Sequence, residues 1–442
     1  MDGRLNRRTF VKGAGLTGLG LVLNPAGVRG ARSVNDSVAV AVAGVRSRGK
    51  ALTRNFAALQ NCRVKYVVDV DSRYRGPAVK AAADRQASLP EQIEDFRDAL
   101  ADSDVDALVI ATPDHWHAPM AIEALRAGKH VYVEKPCSHN PAEGEMLVRA
   151  SEKYDRHVQM GNQRRSMVVT HRMMQEIREG LIGNVYHAVT WYANRRGPIG
   201  QGKNVKVPDH LNWDLWQGPA PRTGYRDNVH PYNWHWFWRW GTGEAGNNAV
   251  HHVDIARWAL GVGFPKRVVS LGGRYHYTGV DDWQCPDTQT ITAEFEDGKT
   301  LTWEGRSCNP YGLEGNRVGV RIHGTEGSIL YLEDHYQVFD KGDKLVKEVD
   351  RSKAVESGVE TIDPDMGDNH QRNFLQAIRG EGSLTSPIDE GYRSVHICLM
   401  GNIALRTNTC VECDPANGHI KDNPEAQKHW SRDYADGWKP EV

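Results

Sequence analysis

Five short apolar runs in the first 160 residues constrain this chain most. They are Val38–Ala43, Val64–Val68, Asp106–Ala111, Val131–Val133 and His157–Met160. The first, second and fourth are valine-rich, and all are too brief for a helix, as strands buried in a parallel sheet are. Helical stretches separate them: the segment from the glycine turn to Leu59, Gly76 to Ala87, Phe96 to Leu100, His117 to Ala127 with Gly128 as a C-cap, and Pro141 to Lys153. Alternating strands and helices predict a doubly wound parallel sheet.

The strand tips Gly44, Asp69, Thr112, Lys135 and Asn162 then share one edge, where open α/β folds bind ligands. After the first strand comes Gly44-Val45-Arg46-Ser47-Arg48-Gly49. Strand, glycine turn and helix N-terminus make a phosphate cradle. Gly44 and Gly49 hold the outer positions of G-x-G-x-x-G. Arg46 holds the middle one, where a side chain should crowd a pyrophosphate, though Arg46 or Arg48 could pair with a phosphate. Asp69, 25 residues past Gly44, suits a ribose diol and repels a 2′-phosphate, favouring NAD. Asp71 competes for that role, and Arg73 and Arg75 keep NADP open. Thr112-Pro113, His117 and Glu134-Lys135-Pro136 complete the cofactor edge; His115 and His117 also suit helix capping. Pro136 cannot continue a central ladder, which leaves Lys135 at the strand end.

From Val185 the pattern turns to strands: Tyr186–Tyr192, Arg267–Leu271, Gln289–Phe295, Lys299–Glu304, Val318–His323 and Ser328–Leu332, with a hairpin turn at Asp297-Gly298. They predict a mixed or antiparallel sheet. Between them, about Asn194 to Arg239 forms a long insertion with little regular pattern. The chain has 13 tryptophans, and several crowd the run Trp234-His235-Trp236-Phe237-Trp238-Arg239-Trp240. Indoles offer flat apolar faces with one N–H, suited to sugar rings, so Trp234 and Trp236 are read as substrate wall. Arg164 and Arg165 are placed to contact hydroxyls. Asn247, His251 and Asp254 fall at i, i+4 and i+7 of a helix that Gly261 closes.

The glycine turn, Asp69, Ala-Thr-Pro-x-x-x-His (Ala111 to His117), Ala-Gly-Lys-His-Val (Ala127 to Val131) and Glu-Lys-Pro together resemble the Gfo/Idh/MocA oxidoreductases. The resemblance covers nearly the whole chain after residue 33. It implies an NAD(P)-binding Rossmann domain over 34–160 and an α/β substrate-binding and oligomerisation domain over 161–442. It also implies a homo-oligomer, dimer or tetramer, acting on a sugar or cyclitol. His251 takes the place of the family's catalytic histidine as base, and Lys135 that of the cation polarising the hydroxyl. Asn247 stands where the family has an aspartate that orients the histidine. Asparagine brings no charge, so the reverse assignment, with Lys135 as base, stays open.

A net charge of −1 argues against a nucleic-acid partner. Cys410 and Cys413 form a lone C-x-x-C, and no metal site is read from them. Asn6-Arg7-Arg8-Thr9-Phe10-Val11-Lys12 before the mild apolar run Gly13–Leu23 reads as a twin-arginine leader over residues 1–33. No later segment could span a membrane. An exported enzyme lacks a free NAD pool, which predicts a tightly held cofactor regenerated within the cycle. The expected activity is oxidation of a sugar or cyclitol hydroxyl. The alternative is a redox-neutral NAD-dependent glycosidase, lyase or epimerase working by transient oxidation. A third reading is a non-catalytic carbohydrate-binding relative.

Overall fold

The computed structural model describes residues 37–356 and 369–442. The leader expected over residues 1–33 lies outside them. The five expected strands join a sixth in one sheet: β1 (Val38–Ala43), β2 (Cys62–Val68), β3 (Glu91–Ile93), β4 (Ala107–Ile110), β5 (His130–Val133) and β6 (Val158–Met160). Their order is β3-β2-β1-β4-β5-β6, all parallel. The unforeseen β3 is a three-residue edge strand, Glu-Gln-Ile, with no apolar run to mark it. Helices α1 (Arg48–Ala58), α2 (Ser72–Ala83), α3 (Phe96–Ala101), α4 (Asp114–Arg126) and α5 (Pro141–Tyr154) connect successive strands. Strand order reverses between β1 and β4, which leaves a crevice beyond their carboxyl ends. Glycine is required there. Gly44 has φ +81°, and a Cβ on it would lie 2.6 Å from the Ala111 carbonyl oxygen. A Cβ on Gly49 would lie 2.1 Å from the Gly44 carbonyl oxygen, so α1 could not seat against the turn.

Helix α6 (Val168–Arg178) leads into a second sheet. Its strands are β7 (Val185–Ala193), β8 (Arg267–Gly273), β9 (Thr288–Glu294), β10 (Thr300–Arg306), β11 (Val318–Gly324), β12 (Gly327–Tyr331), β13 (His335–Asp340), β14 (Leu345–Asp350) and β15 (Val411–Glu412). The order is β14-β13-β12-β11-β7-β10-β9-β8-β15. β7 and β10 run parallel and their outer neighbours antiparallel, so the sheet is mixed. Side chains alternate as the pleat dictates. In β10, Leu301 and Trp303 are buried while Thr300, Thr302 and Glu304 stand on the opposite face. After α7 (Trp213–Gln217) in the insertion, α8 (Val250–Leu260) packs on β7 and β11. α9 (Arg351–Glu356), α10 (Asn369–Ile378) and α11 (Ile388–Thr407) follow, and α11 packs on β8.

The boundary expected at residue 160 is crossed by the returning chain. Phe374 of α10 meets Tyr132 and Phe56 edge-on, with centroids 5.9 and 6.4 Å apart, and so completes the core of the first sheet. The polar tail also has a role that its composition hid. Arg432 pairs with buried Glu143 at 2.6 Å and donates to the His115 carbonyl at 2.6 Å.

Arg165, expected to reach substrate, is instead buried where the second sheet's helices converge. Its guanidinium donates to both oxygens of Asp254, at 2.7 and 2.9 Å. Asp254 also accepts from Ser394 of α11 at 2.7 Å. The helical periodicity placed Asp254 on the face of His251, but its carboxylate turns inward to this pair.

Candidate active site

A cavity of about 420 Å³ opens at the carboxyl ends of β1, β2, β4 and β5. Gly44, Arg46, Ser47, Arg48, Asp69, Thr112, Pro113, His117, Glu134, Lys135, Asn247 and His251 all line it. Asp69 accepts from the Val45 amide through Oδ2 and from the Asp71 amide through Oδ1, each at 2.9 Å. Each oxygen retains a lone pair for a diol. Burial pushes the Asp69 carboxyl up to about 6, against the pull of those two amides. Asp71, the competing acid, is wholly buried; it caps α2 and pairs with Arg73 at 2.7 Å.

Arg46 leans its guanidinium on two rings, 6.0 Å from the centroid of Tyr74 and 5.7 Å from that of Tyr232. The side chain at the middle glycine position is thus directed toward the insertion. Arg48 is pinned to the β5 tip, its Nε 2.6 Å from Glu134 Oε1, and that carboxylate raises it further above its ordinary value. Thr112 has a buried hydroxyl without a hydrogen-bond partner among the described residues. His117 spans two turns, with Nδ1 2.6 Å from the Pro136 carbonyl and Nε2 2.8 Å from that of Thr112. It acts as a strut between strand ends, not as the helix cap its position suggested. A dinucleotide suits this set: the glycines admit close backbone approach, Asp69 offers lone pairs, and the Thr112 hydroxyl awaits a partner.

Lys135 donates through Nζ to the Asn247 backbone carbonyl and, at 3.2 Å, to its Oδ1. Asn247 in turn donates to Glu244 Oε1 at 3.4 Å. Buried Glu244 accepts from Arg196 at 2.9 Å and Ser307 at 2.8 Å. Asn247 therefore serves the lysine. Although it stands where the family has the aspartate that orients the histidine, Asn247 makes no hydrogen bond to His251 Nδ1. The cause is local: Ala245–Ala249 is a π-helix leading into α8, and its wider turn breaks the i, i+4 spacing assumed from sequence.

His251 has a buried Nδ1 with no partner among the described residues. Burial, then the charges of Arg164 and Lys135, hold its imidazole well below its ordinary value, so it is neutral at physiological pH. Burial also lowers the Lys135 ammonium, opposed by Glu134, Asp114 and Glu244. Asn247→Asp would set a carboxylate against Lys135 Nζ. An opposite charge that close raises a lysine pKa by about 1–3 units. If Lys135 acts as the charged donor, the alkaline limb of kcat/KM moves to higher pH by that amount, as a pH–rate profile of the variant would read.

The remaining expected residues divide. Trp234 lines the cavity, stacked on His235 at 3.5 Å. Trp236 does not: it is buried on Trp283 at 4.1 Å beneath Arg196. Arg164 is paired with Glu333, which also contacts His252 Nε2 at 3.1 Å; it stands by His251 without lining the cavity. Asn162 is buried off the cavity wall, and neighbouring Gln163 lines it instead. Sequence reasoning missed Asp114, which accepts from the Thr242 hydroxyl at 2.6 Å and so ties the β4 tip to the approach of the π-helix. A carboxylate directly after Thr112-Pro113 at a strand tip was the available signal. It also missed how the insertion roofs the cavity with Trp216, His230 and Tyr232. Backbone bonds from Ser72 to His210 (2.9 Å) and from Asn212 to Val70 (3.0 Å) stitch that roof to the β2 tip.

Residues 38–162 match the Gfo/Idh/MocA profile described as an oxidoreductase family with an NAD-binding Rossmann fold. Residues 197–411 match the family's C-terminal alpha/beta domain. A glycosyl hydrolase family 109 protein of Shewanella pealeana is 28% identical over 213 residues, 43% of this chain and 46% of that protein. The chain thus matches about half the length of that relative. Levoglucosan dehydrogenase of Pseudarthrobacter phenanthrenivorans is 26% identical over 356 residues, 72% of this chain and 82% of the relative. A solved levoglucosan dehydrogenase in complex with NADH and levoglucosan shares the fold, with a TM-score of 0.65 at 22% identity over 85% of this chain and 99% of that one. With both family domains matched in order over most of its length, this protein belongs to the Gfo/Idh/MocA family of oxidoreductases.

Proposed function

We propose that the protein is an NAD-dependent dehydrogenase acting on a secondary hydroxyl of a sugar or cyclitol. One observation carries this reading: a neutral imidazole and a lysine share one cavity with a dinucleotide cradle. Bound NAD supplies the hydride acceptor. Lys135, with two N–H groups directed at Asn247, keeps a third for the substrate oxygen and stabilises its developing negative charge. His251 takes the hydroxyl proton. Trp234 offers the sugar an apolar face. Similarity to levoglucosan dehydrogenase supports a carbohydrate substrate.

Finer parts of the reading rest on sequence and geometry. The roof over the cavity supports a tightly held dinucleotide. Asn6–Lys12 supports export by the twin-arginine route to the periplasm or cell envelope, checked by cell fractionation. A homo-oligomer, dimer or tetramer, is checked by light scattering on the purified chain. Denaturing the protein as purified should release NAD, and adding a sugar panel beforehand should build up the absorbance of reduced nicotinamide. Protein that neither releases nor binds NAD(H) overturns the proposal.

The family 109 relatives favour a second reading, a closed redox cycle that cleaves a glycoside. It predicts product release from a glycoside with no net accumulation of reduced cofactor.

A further inference from the structure

Behind the turn that follows Lys135 lies a second cleft. Two adjoining cavities of about 410 and 560 Å³ share His139, Trp238, Arg406, Arg432 and Asp433. None of their lining residues lines the dinucleotide cavity. The charge is lopsided: Arg226, Arg239, Arg406, Lys428 and Arg432 face a single carboxylate, Asp433. Three of the five cations have carboxylate partners outside the lining: Arg226 with Asp282, Lys428 with Glu425 and Arg432 with Glu143. The other two have none among the described residues. Arg239 donates only to the Pro221 carbonyl, at 3.1 Å. Arg406, on the last turn of α11, lies 5.0 Å from the Trp238 ring centroid. Arg406 is exposed to solvent at the rim of the cleft.

Arg239 and Arg406 both reach solvent, so neither needs an anion of its own, and both are free to pair with one that enters the cleft. The unmet need is that of Arg432, whose Nη1 is buried with no hydrogen-bond partner among the described residues. The Trp238 face holds the Arg406 fork flat, ready for two parallel N–H···O bonds. His139 lies close enough to Arg432 and Arg406 that both, after burial, depress its ring; it therefore adds no third positive charge.

We propose that this cleft is a second binding site, for a small ligand bearing a carboxylate, phosphate or sulfate group. Such groups fit arginine forks bidentately. The source is an acidic sugar or a free inorganic oxyanion, and the test separates the two.

The test is calorimetric titration of the full purified chain with sodium sulfate, sodium phosphate and sodium glucuronate, at ionic strength matched with chloride. At least one probe should bind saturably, and Arg406→Gln should weaken it about tenfold or more. Arg239→Gln, away from the helix core, is the second variant should Arg406→Gln fail to fold by circular dichroism. NAD retention should be unchanged in both. Glucuronate binding tighter than either inorganic ion identifies an acidic sugar; the reverse order identifies the free oxyanion. Absence of saturable heat with all three probes, or unchanged affinity in every folded variant, overturns the proposal. Neither result touches the dehydrogenase reading, whose test is nucleotide release.

Discussion

Lys135→Met should lower kcat about 10³-fold while leaving the dinucleotide bound. The side chain lies at the tip of β5 with Nζ held by Asn247, and methionine keeps the stem while deleting the donor. Removing one donor to a developing oxyanion costs about 10²–10³ in kcat, roughly 2.7–4 kcal/mol. The loss here falls at the upper end, because the negative charge of Glu134, Asp114 and Glu244, only partly met by Arg48 and Arg196, would then oppose a developing oxyanion. The cradle residues Gly44 and Asp69 follow the ends of β1 and β2 and Gly49 opens α1, all away from β5, so NAD should still co-purify, as nucleotide release would report. Dependence on pH separates the two possible roles of this lysine. Burial lowers its ammonium below the ordinary lysine value. As a donor it must be charged, so kcat/KM falls as pH rises through the lowered pKa. As a base it must be neutral, and kcat/KM would instead rise through the same range. Lys135→Arg keeps the charge at every accessible pH, so under the donor assignment it removes that limb.

Asp254→Ala should destabilise the fold by about 3–5 kcal/mol, the cost of leaving one member of a buried ion pair without the other. Arg165 is the partner left behind; Glu390 Oε2 at 3.4 Å is its remaining carboxylate, which puts the loss at the lower end of that range, and its guanidinium lies 5.1 Å from the Trp258 ring. Ser394 loses its acceptor as well. The urea midpoint should drop with little change in m, since the same surface is exposed on unfolding. Removing both charges, as Arg165→Met with Asp254→Leu, should recover most of the loss, because the under-paired buried guanidinium is gone and Glu390 keeps Arg257 and Arg393. Turnover per folded molecule should fall far less in Asp254→Ala than in Lys135→Met, since Arg165 lies outside the cavity.

The strand tips were legible because a parallel strand announces itself by an unbroken apolar run and ends where that run ends. Gly44, Asp69, Thr112 and Lys135, read from four separate runs, stand around one cavity in the structure. Short edge strands were not legible: β3 has one apolar residue, and β14 carries lysine and glutamate amid its valines. Partners in tertiary space were hidden too. Arg164 and Arg165 are adjacent and alike in sequence, yet one stands beside His251 and the other is buried against Asp254. Trp234 and Trp236 are likewise two residues apart with opposite fates, because the turn between them is 3₁₀, not extended. The role of Asn247 was misread because a helical wheel assumes 3.6 residues per turn, and the π-helix does not obey it.

That π-helix makes the spacing between two chemical groups a matter of chain length. An i→i+5 turn takes up one residue more than an α-turn. Shortening Ala245–Ala249 by one residue would let an ordinary helix close, with α8 and everything after it still in register. His251 would keep its place, while Lys135 would lose the carbonyl and carboxamide that now hold it. In this segment a lineage could retune the lysine by insertion or deletion while the imidazole stays fixed, a kind of variation that no survey of substitutions would detect.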